Sequence, residues 1–328
     1  MAKKALVVLT VLLTVSMLAS QVNAWFPTRM PIPWHIVSTS WLKSALWLPN
    51  LVVLDIRDAE SYSAGHIPGA INVPADLWYV NDPFTVPVET PWMEMPSKDE
   101  LFGLIGSAGI TGDSSVVVVG STSGILEPVP LALYNTATIT RVAITLLYAG
   151  VKNVAILDGG YEKWVADGYP IETKIITPTP VQYWGILDEK MLVSREYVYS
   201  KIGAPKTVII DARDEIVYNC GYTEPWCKSP GHIPTAVNLP TPLLWDINVD
   251  EKGNVKYITY KDFWTLLSMG IKVAGWNWYK EIIVYCGVGG YASTTYFILK
   301  KVLGYYNVKF YDGSAQEWTH AGMPVECP

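Results

Sequence analysis

The sequence predicts an α/β protein of two tandem domains, each a mainly parallel sheet with helices on both faces. Three observations predict it. Short β-branched apolar runs alternate with amphipathic helical stretches, a set of landmarks occurs twice in the same order, and a proline-punctuated stretch separates the two sets. Alternation of strand and helix builds a parallel sheet covered on both sides, and landmarks repeated over a long span indicate two copies of one unit.

The chain opens with Lys3 and Lys4, an apolar run from Ala5 to Ala19, and the small-residue pattern Val22-Asn23-Ala24. That is the layout of a secretory leader, too short and wrongly flanked for a good transmembrane anchor. Residues 1–24 are therefore expected to be a removable signal peptide, and the protein to be exported to the periplasm or beyond the cell. Removing Lys3 and Lys4 takes the net charge from −6 to −8. An acidic chain without basic runs is a poor nucleic-acid binder. No mature segment is a continuous apolar span of membrane length, so no stable membrane insertion is expected once the leader is gone. The 14 Trp and 20 Tyr imply large packed cores and an aromatic domain interface.

Residues 25–172 form the first expected domain, with strands at Val52–Asp55, Val116–Val119 and Val154–Leu157 and a helix over Thr138–Tyr148. The stretch from Val80 to Pro96, rich in proline and acidic residues, reads as a long surface loop. Residues 173–185, with Thr177-Pro178-Thr179-Pro180, read as an extended linker. Residues 186–328 form the second domain, with strands at Thr207–Asp211, Ile282–Tyr285 and Val308–Tyr311.

The repeat ties these units together. Gly65-His66-Ile67-Pro68 returns as Gly231-His232-Ile233-Pro234, and Asp55-Ile56-Arg57-Asp58 as Asp211-Ala212-Arg213-Asp214. Asp158-Gly159 with Trp164 and Pro170 returns as Asp312-Gly313 with Trp318 and Pro324. Both copies carry the histidine although one copy has no cysteine, so His66 and His232 are read as turn-stabilising donors. Asp312 is read as the cap of a strand-to-helix turn.

The copies differ where chemistry is expected. In the second, the strand stops at Cys286, a loop with Gly287, Val288, Gly289 and Gly290 follows, and a helix is expected from Ala292 to Leu303. Such a turn aims backbone N–H groups and the positive end of a helix at one sulfur, which should ease loss of its proton. In the first copy the matching position falls at Gly120 or Ser121, and the helix is delayed through Ile125–Thr136.

An Asp-x-Arg strand end, a Gly-His-Ile-Pro turn, a Cys-x-x-Gly loop and a closing Asp-Gly…Trp segment together resemble the rhodanese family of sulfurtransferases, from Ile36 to Glu326. The resemblance implies two tandem rhodanese-like domains, the first inactive, of the thiosulfate or mercaptopyruvate sulfurtransferase type. It implies that Cys286 takes the outer sulfur of a donor such as thiosulfate as a persulfide, and that a thiol or cyanide then removes it. It needs no cofactor. The backbone from Gly287 to Ala292 would cage the sulfur. Tyr291 would either close the pocket or pack between domains. Arg213 would either bind the donor or form an ion pair with Asp211 or Asp214. The Gly287-Val288 start departs from the thiosulfate type, which places basic residues there, and looks more like the mercaptopyruvate type. A phosphatase would need an arginine where Ala292 stands. A carrier or binding module for sulfur or selenium in an exported redox pathway shares every feature except turnover.

In an exported protein thiols tend to pair. Cys220 and Cys227 lie in one loop, Asn219–Ser229, that the first copy lacks, and are expected to bridge; alternatively one of them resolves the persulfide on Cys286. Cys327, one residue from the end, is expected to be free. The spacing of Cys220 and Cys227 is wider than the usual zinc pair, and His232 and His320 lack paired-ligand spacing, so no metal is expected.

Overall fold

The computed structural model describes residues 35–80, 93–127 and 129–328. The leader and most of the Val80–Pro96 stretch lie outside them. Strands β1 (Ile36–Val37), β2 (Leu51–Asp55), β3 (Ile71–Asn72), β4 (Ser115–Val119) and β5 (Asn153–Leu157) form a parallel sheet in the order β1-β5-β4-β2-β3. Strands β6 (Thr207–Asp211), β7 (Val237–Asn238), β10 (Glu281–Tyr285) and β11 (Val308–Phe310) repeat that order as β11-β10-β6-β7. The second copy's counterpart of β1 is reduced to one bridge between Leu192 and Phe310. Both central strands are sealed by helices: Val116 to Val119 and Ile282 to Tyr285 are fully buried. This is why they read as unbroken apolar runs rather than alternating ones.

The repeat holds at the level of single hydrogen bonds. Trp164 Nε1 donates to Pro170 O at 2.9 Å, and Trp318 Nε1 to Pro324 O at 2.7 Å. His66 stacks on Tyr62, and His232 on Tyr218, with ring centroids 3.8 Å apart in both. Each histidine places Nδ1 on the stacked tyrosine's carbonyl, at 2.8 and 2.9 Å. Both rings serve the turn, as expected.

Three elements differ from expectation. The helix predicted over Thr138–Tyr148 begins at Leu131, seven residues earlier. The helix predicted from Ala292 begins at Gly290, runs to Phe297 and widens into a π-helical turn over Ile298–Val302. An antiparallel hairpin, β8 (Trp245–Val249) with β9 (Val255–Tyr260), was not anticipated.

The helices Leu131–Tyr148 and Gly290–Phe297 follow β4 and β10 respectively, and they pack against each other to join the domains. Their contact is made of small and hydroxyl side chains: Thr140 Oγ1 lies 2.6 Å from Thr294 Oγ1, and Ser293 Oγ donates to Ala137 O at 3.3 Å. Short side chains allow close approach, and the paired hydroxyls meet the need of buried polar groups for partners. The two Asp-Gly aspartates also reach across. Asp158 accepts from Tyr260 N of β9 at 2.9 Å, and Asp312 accepts from Arg141 and from Met95 N. Asp312 is thus an interdomain tie and not the turn cap the sequence suggested. No helix among the described residues is long and apolar enough to cross a membrane.

Candidate active site

The strand β10 is anchored just before its last turn. Tyr285 Oη donates to Asp211 Oδ2 at 2.6 Å and accepts from Ile233 N at 3.0 Å, which fixes the strand end to the Gly-His-Ile-Pro turn. Cys286 follows, 2 % exposed, with its N–H on Ser314 Oγ at 3.2 Å. Gly289 N–H donates to Cys286 Sγ at 3.1 Å. Gly289 has φ +90°, a conformation that is costly for any residue with a Cβ, and it caps the Gly290–Phe297 helix.

The proton balance at the sulfur differs from the sequence reading. Burial pushes the thiol up, opposed by backbone N–H groups of Ala292, Val288 and Gly289, and the nearby Glu224 raises it further. The net direction is upward. The amide cage exists, but in the resting protein desolvation outweighs it.

Cys286 opens into a cavity of about 360 Å³ between the domains. Tyr79, Met93, Tyr134, Ala137 and Thr138 of the first domain form one wall; Glu224, Trp226, Gly287, Val288, Gly290 and Tyr291 of the second form the other. Tyr291 does both things expected of it: it lines the cavity and packs between domains, 5.7 Å from Tyr134 and 5.9 Å from Trp245 by ring centroids. Ala292, fully buried, lies in the first turn of the helix behind the sulfur.

Arg213 is not on the cavity wall. Its guanidinium is 2 % exposed and forks onto Asp211, with Nη2 2.6 Å from Oδ2, and donates to Gly231 O at 2.9 Å. Arg57 makes the same contacts with Asp55 and Gly65 O in the domain that has no cysteine. The geometry is that of the ion pair, since a fork so committed has no face left for a donor; only Nη1 looks toward the site, 3.6 Å from Glu224 Oε2.

The description "Rhodanese-like domain" matches residues 38–167 and again 194–321. The chain belongs to the rhodanese family. It is 30% identical over 307 residues to the sulfur carrier protein TtuD of Thermus thermophilus, covering 89% of this chain and 96% of the relative. It is 27% identical over 298 residues to the thiosulfate sulfurtransferase of Pseudomonas aeruginosa, with 89% and 96% covered. The rhodanese is thus a tandem, thiosulfate-sulfurtransferase-like enzyme. Among solved structures it shares its fold with the wild-type enzyme EanB, at TM-score 0.72, 21% identity, and 89% and 69% coverage.

Sheet register settles which residue of the first rhodanese domain stands for the cysteine. Val119 pairs with Asp55 as Tyr285 pairs with Asp211, so Gly120 matches Cys286. A Cβ there would lie 2.8 Å from Ile139 and 3.1 Å from Ile56, so that pocket is filled. Its loop holds an internal anion instead. Glu162 accepts from Thr122 N at 2.8 Å and from Ser121 Oγ at 2.6 Å. Tyr161 N–H bonds Gly120 O as Ala315 N–H bonds Cys286 O, so the residue matching Glu162 is Gln316. That amide is uncharged, buried, and without a side-chain partner.

The cysteines pair differently from the expectation. The bridge joins Cys220 to Cys327, with Cα atoms 5.8 Å apart, and Cys227 is free. The reason is tertiary: His232 and Glu326 pair as an antiparallel bridge, which carries the chain end to Cys220. Cys227 turns inward, Sγ 3.8 Å from Glu224 Oε2, while Lys228 N–H is held by Thr319. Burial and then Glu224 push its thiol up to about 12, which suits it poorly to resolving a persulfide.

Sequence reasoning passed over Glu224, Trp226, Arg141 and Gln316. Arg141 had a signal: it is the lone charged residue in the Leu131–Tyr148 helix. Fully buried, it reaches Asp312 at 2.5 Å and lies 2.9 Å from where a Cβ on Gly289 would be, so the cysteine-less domain backs the cysteine loop with a paired cation. Gln316 could have been found by aligning the two closing segments. Nothing in the sequence marks Glu224 and Trp226 beyond their place in the extra loop.

Proposed function

We propose that this tandem rhodanese transfers sulfane sulfur through a persulfide on Cys286. The observation that carries the reading is the Gly289 N–H bond to Cys286 Sγ in a loop at the end of β10, open to an interdomain cavity. With thiosulfate as donor, the thiolate attacks the outer sulfur. The Sγ–S bond forms as the S–S bond of the donor breaks, and sulfite leaves with the electron pair. The amides of Val288, Gly289 and Ala292 that oppose the burial of the thiolate also face the persulfide anion. Cyanide or a thiol then takes the terminal sulfur, and the thiolate returns. 3-Mercaptopyruvate is the alternative donor, as the Cys-Gly-x-Gly start suggests.

The test is intact mass after each donor, then after cyanide. One added sulfur that cyanide removes, and that Cys286→Ser never gains, is the expected result; transfer at a substantial rate by a folded Cys286→Ser protein would refute it. The likeness to a sulfur carrier protein favours a second reading, a carrier that loads and unloads once. Multiple turnover with excess cyanide decides against that.

Export belongs to the same proposal. It is supported by the leader pattern from Lys3 to Ala24 and by the Cys220–Cys327 bridge, which suits an oxidising compartment. Amino-terminal sequencing of the protein from a periplasmic fraction should begin at Trp25; a mature chain retaining Met1 in the cytosol would refute export.

A further inference from the structure

The cavity in front of Cys286 has an unusual charge pattern for a site that handles sulfur anions. Among the described residues that line it there is no lysine or arginine, and the single carboxyl is that of Glu224. Both nearby guanidiniums are already committed: Arg213 to Asp211 and Arg141 to Asp312. The remaining walls are largely aromatic, from Tyr79, Tyr134, Tyr291 and Trp226.

Glu224 stands over the loop itself. A Cβ built on Gly287 would meet Glu224 Oε2 at 2.6 Å and Trp226 Nε1 at 2.4 Å, so the carboxyl and the indole rest on the backbone next to the reacting sulfur. We propose that Glu224 selects donors by charge at this cavity, favouring an organic persulfide that carries an ammonium group over one that carries a second anionic group. The inference rests on Cys286 as the persulfide-bearing residue. A carboxylate in a poorly hydrated cavity repels an approaching anion strongly, and aromatic faces accept a cation.

The groups facing Glu224 define when it is charged. Arg213 Nη1 lies 3.6 Å away on one side with Asp211 behind it, Cys227 Sγ at 3.8 Å on another, and the Trp226 indole lies beside it. Around the same cavity stand Cys286, Tyr134 and Tyr291, whose own protons are held more tightly because of burial and of Glu224 among their neighbours. Burial raises the Glu224 carboxyl to about 7, against the pull of Arg213. Glu224 therefore gains its charge as the pH rises through about 7.

The step transfers one sulfur without net redox change. A donor R–S–SH and Cys286–SH give Cys286–S–SH and R–SH: the new Sγ–S bond forms as the donor's S–S bond breaks, and the cysteine's proton ends on the departing thiolate. The test uses two hydropersulfides of similar size, that of cysteamine, which carries an ammonium, and that of mercaptoacetate, which carries a carboxylate. Persulfide formation on Cys286 is followed by intact mass in single turnover. At pH 8 the ammonium-bearing donor should have a kcat/KM about tenfold higher, through KM, the preference should collapse in Glu224→Gln, and Glu224→Asp should restore it. In the wild-type protein alone, the ratio between the two donors should fall toward unity at pH 6; taking the ratio cancels the titration of Cys286 itself. Equal wild-type rates at pH 8, or an undiminished preference in Glu224→Gln, would overturn charge selection while leaving the persulfide reading intact. Failure of both donors to load Cys286 would instead overturn that reading, and this one with it.

Discussion

Replacing Gln316 by Glu should convert the Cys286 loop into a likeness of its counterpart in the first domain. In the first domain, the Glu162 carboxylate takes the backbone N–H of Thr122 at 2.8 Å. By the repeat, Thr122 stands where Val288 stands in the second domain, and the Val288 amide is among those that favour the Cys286 thiolate. Gln316 lies against the same loop, its N–H on Gly287 O at 3.0 Å. A carboxylate there would compete for an amide the sulfur uses. A hydrogen bond to a charged group contributes about 1.5–3 kcal/mol, so its loss alone should slow the reaction about ten- to a hundredfold, before any repulsion between the two anions. The assay is the rate of Cys286 alkylation across pH 6–10, alongside thiocyanate production, with thermal melting to confirm an intact fold. The alkylation profile should move to higher pH. A folded Gln316→Glu protein with an unmoved profile would show that the Val288 amide does not govern the sulfur.

Gly289→Val should be more disruptive, because φ is +90° and the new Cβ would meet Arg141 Nη1 at 2.9 Å and Met93 O at 3.2 Å; we expect about 1–3 kcal/mol of strain, a lower melting temperature and slow alkylation, and an unchanged alkylation rate would refute the loop's role. Non-reducing peptide mapping should yield a Cys220–Cys327 peptide. Since 107 residues separate the two, the double serine variant should lose about 4–5 kcal/mol of stability by denaturant titration, and loss of less than a few tenths would count against the bridge. Glu224 holds its proton more readily folded than unfolded, so wild-type stability should fall as pH rises from the unfolded carboxyl's range to about 7, and stay lower above it. Glu224→Gln should remove that fall, worth up to about 3 kcal/mol at pH 8; parallel stability curves for the two proteins would refute the assignment.

Much of this was legible because it depends on local pattern. Val116 to Val119 and Ile282 to Tyr285 are buried on both faces, so strand and position could be read from composition alone, and Cys286 followed as the residue at a strand end. The helix from Leu131 was read seven residues short because Pro130 and the polar Asn135-Thr136 interrupt its pattern, while packing against the Gly290–Phe297 helix holds its first turns. The hairpin shows in the alternation of Trp245, Ile247 and Val249, but none of the repeated motifs includes it. The bridge to Cys327 was not legible at all: sequence spacing favours Cys227, and only the pairing of His232 with Glu326 reverses that. Burial of the thiol was invisible for the same reason, since the cavity in front of Cys286 is walled on one side by Tyr79, Met93 and Tyr134 of the other domain.

The pairing of the Leu131–Tyr148 and Gly290–Phe297 helices makes this chain resemble a homodimer closed within one polypeptide. Corresponding helices meet, and corresponding aspartates, Asp158 and Asp312, each reach into the other half. In a true homodimer every substitution appears twice, so a thiol could not be lost from one protomer and kept in the other. Covalent linkage removes that restriction. One half was free to fill its own pocket with Ile139 and to become the far wall of its twin's. The arrangement then binds both halves to a single fate: cut between them, the fragment with Cys286 would lose Tyr79, Met93 and Tyr134 from its cavity and leave the Asp312 carboxylate without Arg141.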